Sequence, residues 1–302
     1  MKTLHVKPKL SEEEIKKLEG TFLDESYIDH LVNDDTIVYN EKNEPLVVFR
    51  KNCIPSNHIK LAYPVLKKAI GKTSNRGKAG GNFNFKVGDI VDGSVVGKVL
   101  SGNRFIPLKK DGTLSNSPKS KNVDSSIIGY ADRYPRIPYC RQTAFTEKNF
   151  DIYKNALPYI QSISKVFEEA LPERFANQKA YWDKTSKDFR IHDTVFTTIT
   201  VNKNFRTASH YDKGDLKEGF GNLAVLQTGE YTGGYTVIPK YGVAVDVRTC
   251  DVALFDVHEL HGNTEIKSTK PYERISVICY YREKMIDCGT AEEELNRIKY
   301  AR

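Results

Sequence analysis

His210-Tyr211-Asp212, followed downstream by His261 and then by Arg274-Ile275-Ser276-Val277-Ile278-Cys279-Tyr280-Tyr281, is the part of this chain on which its fold turns. In an extended strand, residues i and i+2 point to the same face. His210 and Asp212 can therefore offer an imidazole nitrogen and a carboxylate oxygen to one point in space. A second imidazole from a neighbouring strand would complete a two-His, one-carboxylate face. Such a face leaves octahedral positions open and suits non-haem Fe(II). His258 and His261 lie three residues apart, and position alone leaves both open as the third ligand. Arg274 lies on an apolar strand, where a guanidinium without an anionic partner is costly. A fixed cation there suits the far carboxylate of a two-oxo acid. Ser276, two residues on, shares its strand face and adds a hydroxyl.

Working outward, short β-rich runs surround these residues. Asn222–Leu226, Tyr235–Pro239, Val243–Val247 and Asp251–Asp256 read as strands separated by Gly and Asp turns, with Gly233-Gly234 the sharpest. That pattern predicts a sandwich or jelly roll, with the β core running from about Thr194 to Arg282.

The stretch from about Arg76 to Arg282 resembles the TET/JBP family of Fe(II)- and 2-oxoglutarate-dependent nucleic-acid oxygenases, and among them the compact viral, phage and algal members. The resemblance rests on Pro138-Tyr139-Cys140-Arg141-Gln142-Thr143-Ala144-Phe145, His210-Tyr211-Asp212-Lys213-Gly214-Asp215, Thr232-Gly233-Gly234-Tyr235, Glu259-Leu260-His261-Gly262-Asn263-Thr264 and Arg274-Ile275-Ser276. It implies an α+β protein with a double-stranded β-helix (jelly-roll) core, flanking helices and an N-terminal extension, divided at residues 1–70 and 71–302. It implies Fe(II) on His210, Asp212 and His261, with 2-oxoglutarate as co-substrate held by Arg274 and Ser276. The substrate expected is the methyl group of 5-methylcytosine or thymine in DNA. The cysteine-rich insert of the animal members is not found, so their mode of DNA binding is not carried over. Some algal relatives transfer a carbon fragment from ascorbate instead of using 2-oxoglutarate, so an ascorbate-using 5-methylcytosine-modifying enzyme, with ascorbate as its cofactor, is an alternative reading. Arg274 and Ser276 favour 2-oxoglutarate. Two rival readings are a 2-oxoglutarate-dependent hydroxylase of a protein side chain or free amino acid, and a non-catalytic nucleic-acid binder on an oxygenase fold.

Four further residues are candidates. Arg141 and Arg206 are cations suited to the C1 carboxylate or a substrate phosphate. Asp215 and Asn222 follow the His-x-Asp turn and can hydrogen-bond a base edge or the reductant.

Composition sets the frame. The chain has 302 residues and a formal net charge of +7, enough for one elaborated domain or two. No apolar run reaches the roughly eighteen residues of a membrane span, and the N-terminus lacks a signal-peptide core. The cysteines Cys53, Cys140, Cys250, Cys279 and Cys288 are scattered and odd in number, with no CxxC pair. An intracellular home, cytoplasm or nucleus, is the expectation. Positive charge concentrates between Lys60 and Lys121, where thirteen Lys or Arg meet three Asp. That density fits a phosphate backbone and points to nucleic acid, DNA above all, as partner.

Local signals place the remaining elements. Ser11 with Glu14 forms a capping-box pattern ahead of a short helix. Thr36–Tyr39 and Pro45–Arg50 read as paired strands, and Lys60–Ile70 as a helix. Ser101–Asp124, rich in Gly, Ser, Asn and Lys, reads as a loop or a flexible β excursion. Glu147–Leu171 has helical periodicity that Pro158 should kink or divide. Ala291–Tyr300 reads as a terminal helix.

Overall fold

The alternation of side chains along the central strands determines the architecture. In Gly221–Thr228, Ala224 and Leu226 join one hydrophobic cluster while Leu223 and Val225 join another. In Val252–Phe255, Val252 and Leu254 go one way, Ala253 and Phe255 the other. A strand that is apolar at every position must be covered on both faces. The computed structural model, which describes residues 1–300, shows both covers.

The large sheet runs in the order Lys2–His5, Thr36–Tyr39, Pro45–Arg50, Val252–Phe255, Gly221–Thr228, Glu273–Tyr280, Thr198–Lys203, Val123–Ala131 and Arg141–Gln142. Its first pair is parallel and the pairs along the rest of this path are antiparallel. Helices Ser56–Ala69, Leu157–Ala170 and Pro172–Lys184 cover one face through Val65, Leu66, Ile160, Ile163 and Phe167. A four-stranded sheet covers part of the other, in the order Gly262–Asn263, Thr236–Ile238, Val243–Val245 and His30–Val32. Ile238, Val243 and Val245 close that second core against Phe49, Val225 and Phe255. The fold is thus mixed α/β with many strands. Residues 1–50 supply strands to both sheets, and the division expected at residue 70 falls at the C-terminal end of the Ser56–Ala69 helix.

Local chemistry explains several boundaries. Ser11 accepts from the Glu14 amide while the Glu14 carboxylate accepts from the Ser11 amide, closing both ends of the capping box. Pro158 sits in the first turn of Leu157–Ala170, where its missing N–H costs nothing. The expected long helix is accordingly divided ahead of this point into Ala144–Lys148 and Phe150–Tyr153. The Lys-rich stretch, expected as a loop or a flexible β excursion, takes the β form. Ile90–Val91, Ser94–Val99, Arg104–Pro107 and Lys119–Ser120 form a small antiparallel sheet around Val91, Val96 and Phe105.

The C-terminal segment is clasped to the core. A disulfide joins Cys140 to Cys288 across a sequence separation of 148, a pairing that scattered spacing does not announce. Beside it, Glu294 accepts from the Cys140 and Gly289 amides and pairs with Arg133. Among the described residues no helix is long and apolar enough to cross a membrane.

Glu273 ties the helical cover to the large sheet. Its carboxylate accepts from Tyr63 and pairs with Lys67 at 3.1 Å and Lys203 at 2.7 Å. Burial raises its pKa, but Lys203, Tyr63 and Lys67 outweigh burial and hold it at about 2. A folded pKa below the unfolded one gives stability that is present above the unfolded value and lost as pH falls through the folded one. The affected window is therefore about pH 4.5 down to about 2, and the contribution, discounted for the water-exposed lysines, is about 2 kcal/mol. Urea denaturation at pH 7 and pH 3 should show Glu273→Gln destabilised at pH 7 and closer to the parent at pH 3. An equal deficit at both pH values would remove the ion cluster from the account.

Candidate active site

Both sheets contribute residues to a cavity of about 490 Å³. The large sheet faces it with the other half of its alternation. Thr200 and Asn202 project from one strand, and Arg274, Ser276, Ile278 and Tyr280 from the next, while Ile199, Val201, Ile275 and Val277 fill the helical core.

His210 and His261 face one another across an isolated antiparallel bridge, with mutual backbone hydrogen bonds of 2.9 and 3.1 Å. Asp212 lies between their rings, 3.5 Å from His210 Nε2 and 3.6 Å from His261 Nε2. The three donor atoms all fall within 4.8 Å of one another. His210 Nδ1 donates to the Ala208 carbonyl at 2.8 Å and His261 Nδ1 to the Glu259 carbonyl at 3.0 Å. Those two bonds fix ring orientation and aim both Nε2 lone pairs at the carboxylate, as a metal site requires. Burial pushes the Asp212 pKa up, but His210 and His261 outweigh it and hold the carboxyl far below its usual range. This donor set suits Fe(II) with positions open toward the cavity.

The two histidines differ in what their nitrogens already do. His258 Nδ1 faces Asp256 Oδ1 at 3.1 Å and its Nε2 faces the Asp215 carbonyl at 3.2 Å. Both of its nitrogens are engaged, and it is His261 that joins the cluster.

Arg274 is 2% exposed, with no carboxylate partner among the described residues. One Nη donates to the Gly234 carbonyl at 3.2 Å, and Nε has no hydrogen-bond partner. Burial lowers its pKa. Gly234, at φ +69°, brings that carbonyl close, and a Cβ there would stand 3.3 Å from Arg274 Nε. Ser276 accepts from Asn202 Nδ2 at 3.3 Å, and Asn202 in turn accepts from Ser125.

The other sequence candidates are scattered. Asp215 lines the cavity, and burial raises its pKa well above the usual range, with Asp212 adding to the effect. Asn222 is fully buried outside the cavity lining, donating to the Phe220 carbonyl at 2.8 Å. Arg141 lies over Tyr134 and donates to the Asp132 carbonyl. Arg206 lies over Phe22 and donates to the Leu23 carbonyl at 2.6 Å. Neither arginine lines the cavity.

Sequence reasoning missed three cavity residues. Arg76 enters from the turn before Gly77–Gly80, with a buried Nε that has no partner and a pKa lowered by burial. Nothing in its local sequence separates it from the surrounding lysines. Tyr280 and Arg282 continue the face that Arg274 and Ser276 begin, and Arg282 is fixed by Asp132 at 2.7 Å. Their signal was legible as the period-two continuation 274, 276, 278, 280, 282, and likewise as the polar alternation Thr198, Thr200, Asn202.

The comparisons agree with this geometry. The model of the Tet_JBP family, the oxygenase domain of the 2OGFeDO superfamily, matches residues 126–283. Thymine dioxygenase JBP1 of Trypanosoma brucei brucei is 38% identical over 185 residues, covering 59% of this chain and 22% of that protein. The bifunctional helicase and thymine dioxygenase JBP2 of Leishmania tarentolae is 36% identical over 181 residues, covering 58% and 16%. The chain thus spans less than a quarter of the length of these relatives. In three dimensions it is similar to NgTET1, solved in complex with 5mC DNA, with a TM-score of 0.55, 12% identity, and coverage of 96% of this chain and 100% of that one. With more than half its length matched, this chain belongs to the Tet_JBP family of 2OGFeDO oxygenase domains.

Proposed function

We propose that this chain is an Fe(II)- and 2-oxoglutarate-dependent dioxygenase that oxidises the methyl group of a 5-methylpyrimidine, thymine or 5-methylcytosine, in DNA. Its core is read as a double-stranded β-helix, with flanking helices and an N-terminal extension. The observation that carries the reading is one cavity holding both a two-His, one-carboxylate cluster and a buried arginine without an anionic partner. The names of its relatives, thymine dioxygenases, and the 5mC DNA bound to its structural neighbour point to the substrate class.

When bound, iron and 2-oxoglutarate supply the oxidising chemistry: dioxygen is consumed, one oxygen atom enters a substrate C–H bond, and the two-oxo acid leaves as succinate and carbon dioxide. The chain's own residues position and exclude water. His210, Asp212 and His261 hold the metal. Arg274 clamps the C5 carboxylate through its free Nε, and Ser276 adds a hydroxyl oriented by Asn202. Arg76, which lines the same cavity with a partnerless Nε, is assigned the C1 carboxylate; Arg141 and Arg206 do not line that cavity. Asp215, Tyr280 and Arg282 bound the remaining wall, where a base can lie. A methyl group inside a duplex is out of reach of such a cavity, so the nucleotide must leave the stack.

The deciding experiment is mass spectrometry of nucleosides after incubating thymine- and 5-methylcytosine-containing DNA with protein, Fe(II), 2-oxoglutarate and ascorbate. Hydroxymethylated nucleosides are expected. Succinate release stimulated by a peptide or free amino acid, with unmodified DNA, would overturn the reading.

Two substitution series test the roles. His210→Ala, Asp212→Ala and His261→Ala should each abolish turnover and weaken Mn(II) binding in calorimetry, whereas His258→Ala should leave metal affinity near that of the parent. A larger loss at His258 would reverse the ligand assignment. Arg274→Ala should weaken 2-oxoglutarate binding by about 2–4 kcal/mol with DNA affinity little changed. Arg274→Lys should recover part, since an ammonium lacks the planar fork. Parental 2-oxoglutarate titrations for Arg274→Ala would place the clamp elsewhere.

A further inference from the structure

The small sheet of Ile90–Val91, Ser94–Val99, Arg104–Pro107 and Lys119–Ser120 has two properties that do not belong together on an ordinary solvated face. The first is apolar exposure. Ile90 is 75% and Val87 69% exposed, and Val95, Val99, Leu108 and Leu114 are also exposed. Four of these adjoin one another. Ile90 is the cross-strand partner of Val95, and Leu108 donates its amide to the Val95 carbonyl. Leu108 faces Leu114 across a bridge, and both leucines lie over Gly97, where a Cβ would come within 2.7 Å of each. Glycine at 97 lets the leucines rest flat on the sheet.

The second property is unbalanced charge. Lys86, Lys98, Arg104, Lys109, Lys110, Lys119 and Lys121 lie on or beside this sheet. Among the described residues none is in an ion pair, although Lys72 and Arg133 on either side of the segment are paired. The segment's three carboxylates are occupied in turns. Asp89 accepts from the Lys86 amide, Asp92 from the Asn122 amide, and Asp111 from Thr113. They do not neutralise the lysines.

This sheet is anchored at the rim of the cavity. Phe105, Phe85, Phe83 and Phe22 form a chain of ring contacts with centroids 5.3–5.5 Å apart. The Phe83 amide donates to the Gly102 carbonyl, and the Asn82 amide to Gly20, whose own amide donates to Ser209 beside the ligand His210. Asn103, in the turn before Arg104, packs against Gly80, one helical turn from the cavity residue Arg76.

We propose that this sheet is a duplex-opening element. Its apolar face of Ile90, Val95, Leu108 and Leu114 inserts against the base stack vacated by the extruded nucleotide, while the unpaired lysines hold the flanking phosphates. Aliphatic side chains wedged between base steps compensate the unstacking that extrusion demands. Free cations beside them supply the salt-dependent grip. The inference rests on the reading of the cavity as a site for a base in DNA.

The test measures binding and base unstacking on the full chain without iron, 2-oxoglutarate or turnover. Three duplexes are used: fully matched, mismatched at the target base, and matched with 2-aminopurine beside the target. Ile90→Ser/Val95→Thr should lose about tenfold in affinity for the matched duplex and lose the 2-aminopurine signal, with a much smaller loss on the mismatched duplex, already open. Lys109→Gln/Lys110→Gln/Lys119→Gln should weaken both duplexes alike and flatten the salt dependence by about 0.9 per lost phosphate contact. Equal losses on matched and mismatched duplexes for the apolar variant, or none, would overturn the wedge. So would loss of binding to phosphatidylserine vesicles with duplex binding intact, which would make the face a membrane surface. If the apolar variant fails to fold, a photo-crosslinking side chain at position 90 decides: crosslinks to bases next to the target support the wedge, and their absence overturns it. Parental duplex opening without oxidised nucleosides would sink the proposed reaction and leave the wedge standing.

Discussion

A guanidinium buried at Arg274 without a carboxylate is the constraint on which the rest of the site depends. Such a charge is costly unless an anion meets it, and within hydrogen-bond reach the Arg274 guanidinium meets one backbone carbonyl. Gly233-Gly234 turns so that one carbonyl satisfies one Nη and no side chain reaches Nε. Asn202 and Ser125 spend their hydrogen bonds on orienting Ser276 rather than on the arginine. The position exists because the strand that carries it serves two masters: Ile275, Val277 and Cys279 pack under the helices while Arg274, Ser276 and Tyr280 line the cavity.

The metal cluster follows the same economy of backbone geometry. One antiparallel bridge between residues 210 and 261 brings together ligands from two distant segments, and carbonyls two residues before each histidine fix the tautomers. His210, Asp212 and His261 all line the cavity. The N-terminal residues are integral to this arrangement. They add strands to both sheets, and the Ala79 carbonyl accepts from Ala208, next to the ligand strand. Arg76 enters the cavity from the same turn.

Distribution of positive charge separates two kinds of cation. Around the cavity, Arg76 and Arg274 each carry a buried Nε without a hydrogen-bond partner. On the appended sheet, Lys98, Lys109, Lys110 and Lys119 are exposed beside exposed aliphatic residues. Arg76 and the lysines of the small sheet belong to the one basic segment, whereas Arg274 comes from the Glu273–Tyr280 strand.

The local rules were legible in the sequence. His210-x-Asp212 declares a shared face, Arg274-x-Ser276 another, Ser11 and Glu14 a helix start, and Pro158 a helix boundary, because each depends on the geometry of a few consecutive residues. Strands at Asn222–Leu226 and Asp251–Asp256 were legible in the apolar runs Leu223–Leu226 and Val252–Phe255. What only the tertiary structure decided involves residues far apart in the chain. His261 is distinguished from His258 by which imidazole nitrogens are already occupied, and those partners come from Asp215 and Asp256. Arg76 is distinguished from its neighbouring lysines by a cavity built from strands more than a hundred residues away. Cys140 and Cys288 meet because the C-terminal segment folds back beside Arg133. Sequence fixes periodicity and donor type through covalent geometry; which donors remain unpaired is set by long-range packing, and unpaired donors are what make this cavity a site.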